Sequence, residues 1–63
     1  MDYIVRDHGS VCVILAQTPE CQKHLAEHMP EDVQMWGLGY VVEPRYTPAI
    51  IADLDAEGFV GNV

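Results

Sequence analysis

The stretch Trp36-Gly37-Leu38-Gly39-Tyr40-Val41-Val42-Glu43-Pro44-Arg45-Tyr46-Thr47-Pro48 decides how the chain reads, because it holds three of the five aromatic residues and the strongest change of backbone character. Leu38 to Glu43 reads as a strand. Tyr40, Val41 and Val42 are the β-branched and aromatic types that pack well on a pleated surface, and Gly37 and Gly39 loosen the approach. Pro44 stops the strand, since proline donates no ladder hydrogen bond and holds the residue before it extended. Thr47-Pro48 then reads as a helix start. Met35 and Trp36, just upstream, are expected to cap one end of the core.

Working back toward the first residue, Tyr3 to Arg6 is a short strand, and Asp7-His8-Gly9-Ser10 suits a tight reversal with Gly9 at positive φ. Val11 to Ala16 is the returning strand. Its apolar run does not alternate, which fits a central strand or one covered on both faces. Thr18-Pro19-Glu20 opens a helix expected to run to about Met29. Thr18 is placed to accept from an orphan N–H, Pro19 suits the first turn, and Glu20 favours the positive end of the dipole. Cys21, Leu25, His28 and Met29 share one side at helical spacing, which leaves Gln22, Lys23, Ala26 and Glu27 toward water. Pro30-Glu31-Asp32 ends that helix.

Beyond the central stretch, Ile50, Ile51 and Leu54 form the buried stripe of a second helix, and Gly58 sits where a C-terminal cap is expected. Phe59 and Val60 are expected to add a last short strand before Gly61-Asn62-Val63 frays. The result is a single α+β domain over residues 1 to 63, a small mixed sheet of three to four strands with two helices on one face, in the order ββαβαβ.

Ten acidic residues against three basic ones give a net charge of -7 on a 63-residue chain. Such a field repels nucleic acid and anionic lipid and attracts basic partners, so direct nucleic-acid binding is not expected. With 49% hydrophobic residues the chain has enough apolar matter to fold despite its charge. The longest apolar run, Val11 to Ala16, is far short of the roughly 20 residues a membrane helix needs, and no membrane partner is expected. The two cysteines and the lack of a basic-then-apolar leader suit a reduced, cytoplasmic protein, monomeric or weakly dimeric.

Three constellations invite a chemical reading. Cys21-x-x-His24-x-x-x-His28 places three metal-ligating types on one side of a helix, but no fourth ligand is evident, so a small metal-binding protein is the third reading, after Cys21 and His28 as core edge and His24 as a surface residue. Asp53 to Gly58 imitates the start of a calcium loop, yet the chain ends before the bidentate glutamate, and a capped helix end explains the same pattern. Ser10 beside His8, and Cys12 within a strand, lack the base and orienting group a nucleophile needs. No cofactor and no enzymatic activity are expected.

The carboxylates are the better candidates. Glu31, Asp32, Glu43, Asp53, Asp55 and Glu57 can form one or more acidic faces, and spaced carboxylates can imitate duplex phosphates within a basic groove. A solvated helix face explains Asp53, Asp55 and Glu57 equally well. The competing interface is an aromatic one, Trp36, Tyr40 and Tyr46 with Arg45 at the rim, since aromatics and arginine dominate binding hot spots.

Gly9-Ser10-Val11, Glu20-Cys21-Gln22-Lys23-His24-Leu25-Ala26-Glu27 and above all Val41-Val42-Glu43-Pro44-Arg45-Tyr46 resemble small uncharacterised proteins carried on bacterial phages and plasmids. The likeness spans most of the chain and implies no reaction or ligand. In size and acidity the chain is also similar to small anti-CRISPR proteins, some of which mimic DNA. That similarity implies an inhibitor that binds a basic nucleic-acid-binding complex of the host, such as a CRISPR effector.

Overall fold

Two glycines set the reversals from which the sheet is built. In the computed structural model, which describes residues 1 to 62, Gly9 has φ 86° and Gly37 has φ 60°, a region that side-chain-bearing residues avoid. The Gly9 N–H donates to Asp7 Oδ1 at 2.8 Å and the His8 N–H to the Val11 carbonyl at 2.9 Å, closing the hairpin between β1 (Tyr3–Asp7) and β2 (Cys12–Ala16). Gly37 and Leu38 form the two-residue turn between β3 (Met35–Trp36) and β4 (Gly39–Val42), with Trp36 opposite Gly39. Glycine in the first central position is the residue a type II′ hairpin turn asks for.

The strands lie in the order β3-β4-β2-β1-β5, where β5 is Gly61–Asn62 and runs parallel to β1. All other neighbours are antiparallel. β2 is therefore central, as its unbroken apolar run requires. Register places Tyr3 opposite Ala16 and Ile14 opposite Tyr40 on one face. Both helices, α1 (Pro19–His28) and α2 (Thr47–Ala56), cover that face. Cys21 and Leu25 from α1 and Leu54 from α2 join Tyr3, Ile14 and Tyr40 in one buried cluster. Each fully buried Leu or Ile contributes about 1.5–3 kcal/mol relative to an exposed one.

The expected α+β class, with two helices on one face of a small mixed sheet, is what the chain forms, and β3 adds a two-residue strand to the expected order. Thr18 caps α1 as its residue type predicts, accepting the Cys21 N–H at 3.3 Å while its hydroxyl donates to Asp2. Gly58, at φ 86°, ends α2 in a Schellman arrangement: its own N–H reaches the Asp55 carbonyl and the Phe59 N–H reaches that of Leu54. That cap accounts for the residues that imitate a calcium loop.

Several expectations are corrected. Thr47 is not a cap. A 3₁₀ turn over Pro44–Tyr46 leads directly into α2, so Thr47 is already helical, buried, and hydrogen-bonded through its hydroxyl to the Glu43 carbonyl at 3.3 Å. The last strand is Gly61–Asn62 rather than Phe59 and Val60. Phe59 is turned inward by the helix cap, and Val60 spends its N–H and carbonyl on Asp2. Val63, expected to fray, lies outside the described residues.

Met35 and Trp36 do not cap the core. They are 41% and 46% exposed, because a two-residue edge strand leaves them beyond the reach of either helix. Tyr40, expected at an exposed interface, is 6% exposed: its register opposite Ile14 turns it under the helices, where its hydroxyl accepts from Gln22 Nε2 at 3.1 Å. His28 is exposed and His24 half-buried, the reverse of the expected helical facing, because α2 crosses beside His24.

Candidate functional site

The seam between α1 and α2 gathers polar side chains from both helices. Helical spacing stacks Glu20, Lys23, His24, Glu27 and His28 along the flank of α1 that borders α2. The end of α2 brings Asp53 and, at its C-terminal cap, Glu57 to the same border. His24 Nε2 and Asp53 Oδ2 are hydrogen-bonded across the helices at 2.8 Å. The His24 ring lies 4.2 Å from that of His28 and 5.4 Å from that of Phe59, centroid to centroid. Beside this pair, Glu20, Lys23, Glu27, Glu57 and Phe59 line a shallow depression.

The six carboxylates singled out from the sequence do not share one face. Asp53 and Glu57 belong to the helix seam. Asp55 points the other way and accepts the Tyr3 hydroxyl at 3.1 Å. Glu43 pairs with Arg45 at 2.7 Å, an exposed contact worth about 0–1 kcal/mol. Glu31 and Asp32 sit in the turn after α1. Glu20 and Glu27, passed over in the sequence, complete the acidic rim, and their i, i+7 spacing on the helix with Lys23 between them is the signal that marks them. Among the described residues, no hydrogen bond or ion pair engages the side chains of Glu20, Glu27 or Glu57. By contrast, Asp2 holds Thr18 and the Val60 N–H, and Asp7 holds its own hairpin.

The aromatic residues of the competing interface are likewise divided. Tyr46 is exposed, with the Arg45 guanidinium 4.8 Å from its ring centroid, while Trp36 meets His8 edge-to-face at 5.4 Å. Tyr40 is buried with the core. Trp36 faces the helix-free side of the sheet, together with Ile4, Arg6, Val13, Leu15 and Val41 by strand alternation and register. Among the described residues, no acidic residue occupies a strand position on that side.

Cys21 is fully buried in the core, so it does not join the two histidines that its spacing suggested. Burial pushes its thiol pKa up, with the nearby Asp2 carboxylate adding to the shift, which disfavours the thiolate. Burial first, then the hydrogen bond to Asp55, raises the Tyr3 hydroxyl. Both groups bind protons more tightly when folded, so their contribution is intact below the ordinary values of 9.0 and 10.0 and is lost as pH rises through the raised ones. Urea midpoints should therefore fall steadily above about pH 9, and Tyr3→Phe should flatten the part of that fall above pH 10. A profile identical in both proteins would show that Tyr3 ionisation is not involved.

Among the described residues no helix is long and apolar enough to cross a membrane. No family model, curated protein or solved structure matches the chain.

Proposed function

We propose that this chain is a non-enzymatic acidic binding protein of the phage or mobile-element type, which occupies the cationic groove of a host nucleic-acid-binding complex, a CRISPR effector being the leading case. The observation that carries the reading is the set of unpartnered carboxylates, Glu20, Glu27 and Glu57, around the α1–α2 depression, opposite a sheet face with no acids. Lys23 offsets part of this charge, and the remaining excess of carboxylates around the depression favours a basic groove. Spaced carboxylates take the electrostatic attraction that the groove offers to phosphates. The test is salt dependence: affinity for the captured complex should fall at least about tenfold between 50 and 200 mM salt. Affinity indifferent to salt would refute the reading.

A second reading is favoured by the helix-free sheet face. Trp36 is 46% and Leu38 81% exposed, and Arg6 is the charged residue among the strand positions of that side. Two copies meeting there would turn their acidic helices apart, so self-association through this face is electrostatically tolerated. Quenching of Trp36 fluorescence by acrylamide reports on it. If the acidic surface is the functional one, Trp36 stays fully quenchable at high protein concentration and in the presence of partner. Protection that deepens with concentration and persists in salt would favour self-association.

A further inference from the structure

The carboxylate rim does not explain why two imidazoles lie at its edge. His24, His28 and Asp53 each offer a ligand atom, and these atoms lie within 4.8 Å of one another. Two come from successive turns of α1 and the third from the other helix, so any ion held by all three would join the helices. We infer that His24, His28 and Asp53 form a divalent-metal site of the zinc type, with at least one coordination position open toward solvent. This goes beyond the partner reading and does not rest on it.

The donor chemistry fits. Two neutral imidazoles and one carboxylate form a common zinc ligand set with an open fourth position, and the i, i+4 histidine pair is the helical spacing that puts both rings on one ion. Ligand bonds of about 2.0–2.2 Å around a tetrahedral ion hold neighbouring donor atoms roughly 3.3 Å apart. The His24–Asp53 separation of 2.8 Å needs only a slight widening to admit an ion, and His28 has only to swing inward. The movable ligands are the ones that need to move: Asp53 has 52% side-chain exposure and His28 is exposed, whereas His24, at 12% and packed beside Phe59, is the fixed point. Around the adjoining depression Glu20, Glu27 and Glu57 outnumber the one cation, Lys23, so the local field still favours cations. Cys21, three residues before His24 and buried in the core, is excluded, so the site differs from the Cys-His-His pattern that the sequence presents.

The test uses the full chain with ZnCl2 and with CoCl2 as a spectroscopic probe. One Co²⁺ per chain should give the visible d–d absorption of a low-coordinate site, and Zn²⁺ should displace it. Zinc at about 100 times its dissociation constant should raise the melting temperature by about 10–20 °C for a chain of this size. His28→Ala and Asp53→Asn, both at exposed positions, should each weaken metal binding at least tenfold while leaving the metal-free circular dichroism unchanged. His8→Ala, at the far hairpin, should leave it intact. No absorption band and no thermal shift would overturn the site and leave His24–Asp53 as an ordinary hydrogen-bonded pair. Binding that survives both His28→Ala and Asp53→Asn would also overturn it, by showing adventitious binding to scattered carboxylates. Neither readout involves a partner protein, so failure here is separable from failure of the binding reading.

Discussion

Leu54→Ala is expected to remove about 2–5 kcal/mol of stability, among the largest losses from any single truncation in the shared core. Leu54 is fully buried and is the side chain by which α2 enters the common cluster with Tyr3, Ile14, Cys21, Leu25 and Tyr40. Truncating such a leucine removes its transfer free energy and leaves a void, about 2–5 kcal/mol together. A domain of this length has only about 3–9 kcal/mol to lose, at roughly 0.05–0.15 kcal/mol per residue. Among the described residues the other face of the sheet carries no helix that could compensate. Leu54 also supplies the carbonyl that accepts the Phe59 N–H in the helix cap, so a poorly seated α2 loosens the approach to β5 as well. Urea denaturation followed by circular dichroism measures the loss. A midpoint corresponding to less than about 1 kcal/mol of destabilisation would mean that α2 is not docked through Leu54.

Glu27→Lys/Glu57→Lys is expected to lower partner affinity by at least tenfold while leaving stability within about 0.5 kcal/mol, the usual range for surface substitutions away from packed features. Each change adds two positive charges, so the net charge moves from -7 to -3. These two acids are chosen because neither holds the fold together. Asp53 is bonded to His24 and Asp55 to Tyr3, so reversing those would confuse loss of a contact with loss of the fold. Placing like charges against a basic groove costs several kcal/mol when they meet it directly and much less when they lie outside. Glu31→Lys/Asp32→Lys makes the same change in net charge on the turn beyond α1, away from the depression, and should weaken binding less. Equal losses from the two pairs would mean that net charge alone attracts the partner, with no defined face.

Local chemistry made most of the fold legible. Gly9, Thr18-Pro19 and Gly58 each carry a backbone requirement that few other residues satisfy, and each sits where that requirement arises. Val11 to Ala16 announced a central strand by failing to alternate. What the sequence concealed were facts of register and crossing. A single-residue step decides whether Tyr40 or Val41 turns under the helices, and no local pattern fixes which edge receives the two-residue strand of Met35 and Trp36. Thr47-Pro48 repeats Thr18-Pro19 in letters only, because Pro44 has already begun the turn that makes Thr47 helical. The candidate site was half visible. His24 and His28 stood out by spacing, but their third neighbour, Asp53, is 29 residues away from His24 and reaches it only through the packing of α1 beside α2. Grouping the acids by proximity in sequence similarly joined Asp53, Asp55 and Glu57, which the helix then divides between two sides.

The most direct test of the central claim is displacement of DNA. The chain is immobilised, host-lysate proteins that bind it are eluted with stepped salt, and the recovered complex is reconstituted with its labelled duplex. Increasing amounts of the free chain are then added while the bound duplex is measured. Mimicry predicts that the duplex is released in proportion to added chain, that release weakens as salt rises, and that Glu27→Lys/Glu57→Lys fails to release it. A captured partner that keeps its duplex at saturating chain, or one that resists salt and binds the reversed variant equally well, would contradict the claim and point to the aromatic side of the sheet.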